Sequence, residues 1–297
     1  MNQFKLFTAL LFAGSMSVSA TRAQDIDSTG LPGDNFSLQA AIDLFSKSDS
    51  PESFEKALNT GGNDVNNLDL NEDGETDYIK VIDKQDGDVH AFILQAAISE
   101  TENQDIAVIE LEKTGENTAV LQIVGDEDMY GEEIIVEPAG EESSAISVHS
   151  DMAYAHGPSA GIDEYIDDNP AHIGINVWLW PSVRFVYRPG YVIWTSPYRW
   201  RARPAWWHPF RPVRYSVFYP RRAAYRPRYV VVTTHRVVRA RAIYRPARVT
   251  SVTVVHRNQA NVTRYRAGRV TRTNTTVEGK HGRKVSRTKT TVRKRKR

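Results

Sequence analysis

Charge is segregated along this chain so sharply that it limits how the chain can fold. Residues 21–170 hold 35 Asp and Glu against 6 Lys and Arg, a formal −29, whereas residues 171–297 hold one acid, Glu278, against 31 Lys and Arg, a formal +30. With Lys5 added, the two halves cancel to the net +2 of the whole chain. Such asymmetry implies either that the halves meet different partners or that they meet each other. Cysteine is absent, so no disulfide can staple the fold, and stability has to come from a core, a metal or a partner.

Asn2 and Lys5 precede an apolar run from Leu6 to Ala20, followed by small-residue cleavage sites after Ala20 or Ala23. That order predicts a secretory signal peptide over residues 1–23. The run is short for a transmembrane helix, which needs about 20 apolar residues, and no later stretch reaches that length without Arg or Pro. The expectation is an exported protein of the periplasm, outer envelope or extracellular space, with no transmembrane segment beyond the signal peptide.

The acidic half predicts an α+β domain over residues 34–142, with two N-terminal helices packed on an antiparallel β-meander. Ser37 is placed to cap a helix carrying Leu38, Ile42 and Phe45. Ser50 and Pro51 open a second helix, with a Glu at capping-box distance and Gly61 and Gly62 as its stop. Five apolar or alternating runs follow, "YIKVID", "VHAFILQAAI", "DIAVIELEK", "TAVLQIVG" and "EEIIVEPAG", separated by short polar turns.

Between helices and strands lies "DLNEDGETDYI", residues 69–79. Asp69, Asn71, Asp73 and Asp77 set side-chain oxygens at positions 1, 3, 5 and 9 of a calcium loop, Glu75 offers a carbonyl at position 7, and Gly74 permits the turn at position 6. Lys80 stands where an EF-hand needs a bidentate Glu, and a strand follows instead of a helix. The loop resembles the calcium hairpins of FG-GAP and VCBS (integrin-type) repeats, which implies a structural calcium. The competing reading is a turn whose Asp and Asn cap backbone groups. A second acidic cluster, Asp126, Glu127, Asp128, Glu132 and Glu133, lacks that spacing and reads as a solvated turn. His149, His156 and His172 match no metal-ligand template, and no catalytic motif is present. No catalytic residue is identified; the alternative is an envelope hydrolase using a carboxylate pair on the α+β domain.

Residues 150–170 read as a linker, 171–270 as an Arg- and aromatic-rich region containing β-structure, and 271–297 as a disordered basic tail. From 171 to 279 there are 21 Arg and no Lys. "VRFVYRPGYVIW" predicts a hairpin with Pro189 and Gly190 in a type II turn, and "YVVVTTHRVVRARAI" and "RVTSVTVVHR" predict further strands. A guanidinium binds phosphate or carboxylate through two parallel hydrogen bonds and stacks on aromatic rings. Candidate residues for anion or surface binding are Arg184, Arg188, Arg199, Arg201, Arg203, Arg211 and Arg214 with Trp200, Trp206 and Trp207. The partner expected is an anionic polymer or lipid surface. The alternative is an intramolecular role, in which the basic half only neutralises the acidic half; the oligomeric state stays open.

Taken in order, "GDNFSLQAAIDLF", "NNLDLNEDGETDYIKVID", "VHAFILQAAISETENQDIAVIELEK", "GDEDMYGEEIIVEP" and "NVWLWPSVRF" with an Arg-Tyr tail resemble a group of uncharacterised exported proteins of Bacteroidetes-type bacteria. The resemblance implies a periplasmic or outer-envelope setting and no particular activity.

Overall fold

Short turns between successive apolar runs leave each strand its sequence neighbour as the nearest partner, and the sheet is built that way. The computed structural model describes residues 28–139 and 175–268, with the backbone of 270–278 and 284–292. The expected signal peptide, the expected linker and His149, His156 and His172 lie outside the described residues. The protein is α+β, with strands β1 (Ile79–Asp86), β2 (Val89–Ala97), β3 (Asn103–Gly115), β4 (Thr118–Gly125), β5 (Ile134–Pro138) and β6 (Tyr229–Val232). They form one six-stranded sheet in sequence order, every pair antiparallel.

Every residue of β2 is buried, which requires both sheet faces to be covered. On one face Val81, Phe92, Leu94, Ile109, Leu121 and Val136 belong to the main core. On the other, Ala91, Ile93, Val108, Val124 and Ile135 form a smaller cluster with Val230, Val232 and Tyr244.

Helix α1 (Leu38–Lys47) starts where Ser37 accepts a hydrogen bond from the Ala40 amide. In α2 (Pro51–Leu58) the reciprocal partner of Ser50 is Ser53 rather than a Glu. Phe45 brings α1 onto Phe54 and Phe92, each with ring centroids 5.2 Å away. The short α3 (Glu127–Tyr130) links β4 to β5 and is capped by Asp126.

The basic half continues this same core. Val177, Val183, Val186, Tyr229, Val231 and Val254 join the cluster built by the acidic half, and β6 extends the sheet beyond β5. The expected hairpin at 183–194 is not formed. Pro181, with φ preset for a first helical turn, opens α4 (Pro181–Val186) instead. The Pro189–Gly190 turn itself is present, with Gly190 at φ 78° and the Tyr191 amide donating to Arg188 O at 3.2 Å. Beyond it, residues 194–196 lie along the free edge of β1, the Asp83 amide donating to Trp194 O at 2.8 Å and the Ser196 amide to Val81 O at 3.1 Å. An edge strand is thus covered, as exposed edges must be managed.

Helix α5 (Tyr215–Arg221) precedes a 3-10 turn leading into β6. The strand expected over 229–243 stops at Val232, and α6 (Val238–Tyr244) follows and lies against β1, β2 and β3. The strand expected over 248–257 is the start of α7 (Val252–Gly268). Its β-branched run favours strand locally, but buried Ser251 caps the helix by accepting from the Val254 amide at 3.2 Å. In the tail expected to be disordered, β7 (Val270–Glu278) and β8 (Lys284–Val292) pair antiparallel; their many Thr and Val residues supply β-propensity.

Phe45 joins helix to sheet at the centre of the core, so Phe45→Ala is expected to cost about 3–5 kcal/mol, measured by denaturant unfolding.

Candidate anion-binding surface and acidic loop

Two groups of arginine occupy different places. The first is committed to the acidic half. Arg228 meets Asp43 at 2.7 Å, Arg236 meets Glu137 at 3.0 Å, Arg241 and Arg245 converge on Glu133 at 2.7 and 3.1 Å, and Arg239 meets Glu112 at 3.1 Å. Arg248 reaches both Asp126 and Asp128 at 2.5 Å, and the bond to Asp126 holds its guanidinium further on the charged side. His235 bonds to Glu110, a carboxylate whose pKa burial raises.

Of these acids, Glu110, Glu112 and Glu137 stand on the second sheet face, opposite Ala91, Val89 and Val230, where alternation alone would have placed them in water. Instead Glu137 sits in a closed network, accepting from Gln122 Nε2 at 2.8 Å and Arg236 Nε at 3.0 Å, while Gln122 Oε1 accepts the Arg236 amide at 2.7 Å. A cavity of about 800 Å³ runs along this seam, with Glu110, Asp126, Glu133, His235, Arg241 and Arg248 in its wall. Of its carboxylates, Asp126 and Glu133 are already paired with arginine and Glu110 with His235. The reading of Asp126 as part of a solvated turn is corrected: Asp126 is buried, caps α3 and is clamped by Arg248.

The second group faces outward. Arg184, Arg188, Arg199, Arg211 and Arg214 are exposed, and none forms an ion pair among the described residues. Arg188 lies 3.7 Å over the Phe185 ring. Arg201 reaches Glu100 only at 3.7 Å, with both side chains largely exposed, a pair of little energetic weight. The remaining expected residues divide. Arg203 is half-buried over Tyr78, Trp200 and Trp207 at 5.4, 5.9 and 5.6 Å, and Trp207 meets Tyr78 edge-on at 5.3 Å. Trp206 is 40 % exposed, with Lys56 5.6 Å from its ring. Arg203, Trp200 and Trp207 therefore help to pack this segment onto the acidic half.

Two anchors were not legible in the sequence. Glu55, on α2, is buried and accepts from Tyr78 Oη at 2.7 Å, the Val81 amide at 2.9 Å, Ser196 Oγ at 2.8 Å and Trp194 Nε1 at 3.2 Å. Asp83 is buried against His90 at 3.0 Å and accepts from Tyr191 Oη at 2.8 Å. In both, an acid of the first half receives an aromatic or hydroxyl donor of the second.

In the 69–77 loop, the carboxylates turn onto the loop's own amides. Asp69 accepts from Asp73 N at 3.0 Å and Gly74 N at 2.9 Å, Asp73 from Glu75 N at 2.9 Å, and Asp77 from Leu70 N at 2.5 Å. Gly74 takes φ 83° and Glu72 φ 63°, the left-handed turn that the template reserves for position 6 in its glycine. Burial pushes the Asp77 carboxyl up to about 7, with Asp69 and Asp73 adding like charge. Lys80 is buried and donates to Asn103 at 2.8 Å, away from a twelfth-ligand role. Among the described residues no three acidic, His or Cys side chains form a metal-holding group.

No family model matches the chain, and neither the curated proteins nor the solved structures contain a match.

The division of arginines makes a direct prediction. Arg248→Ala strands buried Asp126 and is expected to cost about 3 kcal/mol, whereas Arg211→Ala changes stability by under about 0.5 kcal/mol; urea unfolding of both variants measures the contrast.

Proposed function

We propose that this is a non-catalytic, exported envelope protein that uses an outward arginine and aromatic surface to hold an anionic envelope component or extracellular polymer. The observation that supports this reading is the partition of cations. Arginines from 228 to 248 neutralise the buried acids, while Arg184, Arg188, Arg199, Arg211 and Arg214 remain outside that neutralisation. Self-neutralisation and external binding thus fall to different segments rather than competing for the same side chains. The aromatic framework beneath the exposed group limits the motion of the chain carrying it, which lowers the entropic cost of binding.

Binding of this kind weakens with salt, because each phosphate contact releases condensed counterions. The full mature chain, assayed against lipopolysaccharide, an acidic glycan and DNA over a salt series, is expected to bind at least one of them. Replacing the five outward arginines with Gln is expected to weaken that binding about tenfold or more and flatten its salt slope, with the melting temperature unchanged. Equal binding by the variant contradicts the proposal.

A structural calcium in the 69–77 loop is part of the same proposal. Asp69, Asn71, Asp73 and Asp77 would supply side-chain oxygens and Glu75 its carbonyl, after the carboxylates turn from the loop amides. A hard divalent ion suits such oxygens and would offset the repulsion around Asp77. Calcium at about 100 times its dissociation constant would add about 2.7 kcal/mol of stability. Millimolar calcium is therefore expected to raise the melting temperature of the wild-type chain and to leave the Asp69→Asn/Asp73→Asn variant unmoved; identical melting of wild type with and without calcium contradicts it.

A further inference from the structure

Resting on that reading of the arginine surface, we infer that its partner is an anionic lipid bilayer, engaged by the apolar residues beside α4. Val192 is 82 % exposed, Leu179 79 % and Ile193 48 %. Large aliphatic side chains this exposed contribute nothing to holding a soluble polyanion, where guanidinium groups suffice, whereas beside cations they match the boundary between headgroups and acyl chains.

The rings next to the exposed residues in sequence are joined through His90, whose ring meets Tyr187 at 5.2 Å and Tyr191 at 5.8 Å. Leu179 follows Trp178, which stacks on Tyr187 with centroids 5.7 Å apart. Val192 and Ile193 follow Tyr191, whose ring meets Phe185 at 5.9 Å, and Phe185 carries the Arg188 guanidinium at 3.7 Å. Tyr187 Oη donates to Asp88 O at 2.9 Å and Tyr191 Oη to Asp83 at 2.8 Å. Leu179 and Val192 are therefore next in sequence to rings fixed on the sheet, and Ile193 is next to Trp194, held by Glu55, rather than on a free loop. Arg184 and Arg188 are exposed within the same stretch and form no ion pair among the described residues, leaving both for lipid phosphates. Arginine beside an anionic membrane contributes through the surface potential, and the aliphatic groups add apolar burial. No helix among the described residues is long and apolar enough to cross a membrane, so attachment would be to the membrane surface.

The test is co-sedimentation of the full mature chain with phosphatidylcholine vesicles, with and without roughly a third phosphatidylglycerol, alongside binding to soluble heparin. Wild type is expected to sediment with the anionic vesicles and not with phosphatidylcholine alone. Leu179→Ser/Val192→Ser/Ile193→Ser, at exposed sites that tolerate substitution, is expected to lose about tenfold or more in vesicle partitioning while keeping its heparin affinity. Arg184→Gln/Arg188→Gln is expected to weaken both. Vesicle binding by the triple Ser variant equal to wild type overturns the inference, as does a wild type that binds heparin but not vesicles; the second outcome leaves the arginine surface itself intact. Binding to neither overturns the inference, and overturns the reading on which it rests when lipopolysaccharide and DNA are not bound either.

Discussion

The contact on which this structure depends is the clamp of Arg248 on Asp126, with its companions Arg236 on Glu137 and His235 on Glu110. A carboxylate buried under a covering segment costs several kcal/mol unless a cation and further hydrogen bonds compensate it. The second face of the sheet carries Glu110, Gln122, Asp126 and Glu137, all buried. Covering that face with an ordinary apolar helix would leave these groups without partners. The segment that covers it instead brings Arg248 to Asp126, Arg236 to Glu137 and His235 to Glu110, and this is the physical sense of the opposed charges in the two halves.

From that clamp the rest of the arrangement follows. With the segment after β6 held across the second face, β6 completes the sheet beside β5, and Val237 at the start of α6 and Ala240 within it pack with Val89. On the first face, Glu55 and Asp83 fix Trp194, Ser196 and Tyr191 by hydrogen bonds, so the chain passes along the edge of β1. Without any disulfide, a long segment is secured by ionic contacts on one face and aromatic hydrogen bonds on the other. The arginines left over lie on the part of the chain that crosses the first face and its edge. Binding an external anion there need not disturb the clamp.

The five strands of the acidic half could be read from the sequence because apolar runs were separated by turn residues, and the helix starts because Ser37 and Ser50 carry capping chemistry. What could not be read was long-range. Nothing local to Tyr229–Val232 says that its partner is Ile135–Pro138, about ninety residues earlier, and the Val-Arg-Ala-Arg sequence after it can serve a strand or a helix. Residues 252–255 read as strand by their β-branched side chains, yet the Ser251 cap and the packing of Val254 select helix. Asp126 looked like part of a solvated acidic turn because its partner, Arg248, lies far along the chain. The outward arginines were recognisable as a class, but only the pairing of the other arginines separates them from the structural ones.

With its core and its buried acids completed from residues 175–268, the acidic half needs the basic half to complete its fold. The most direct measurement is thermal unfolding of the isolated 34–142 fragment, followed by circular dichroism, alone and after mixing with a separate 175–268 fragment. No cooperative transition is expected for 34–142 alone, with recovery of one on mixing, lost again at high salt where the ionic clamps are screened. Cooperative unfolding of 34–142 alone at the temperature of the intact chain would contradict it.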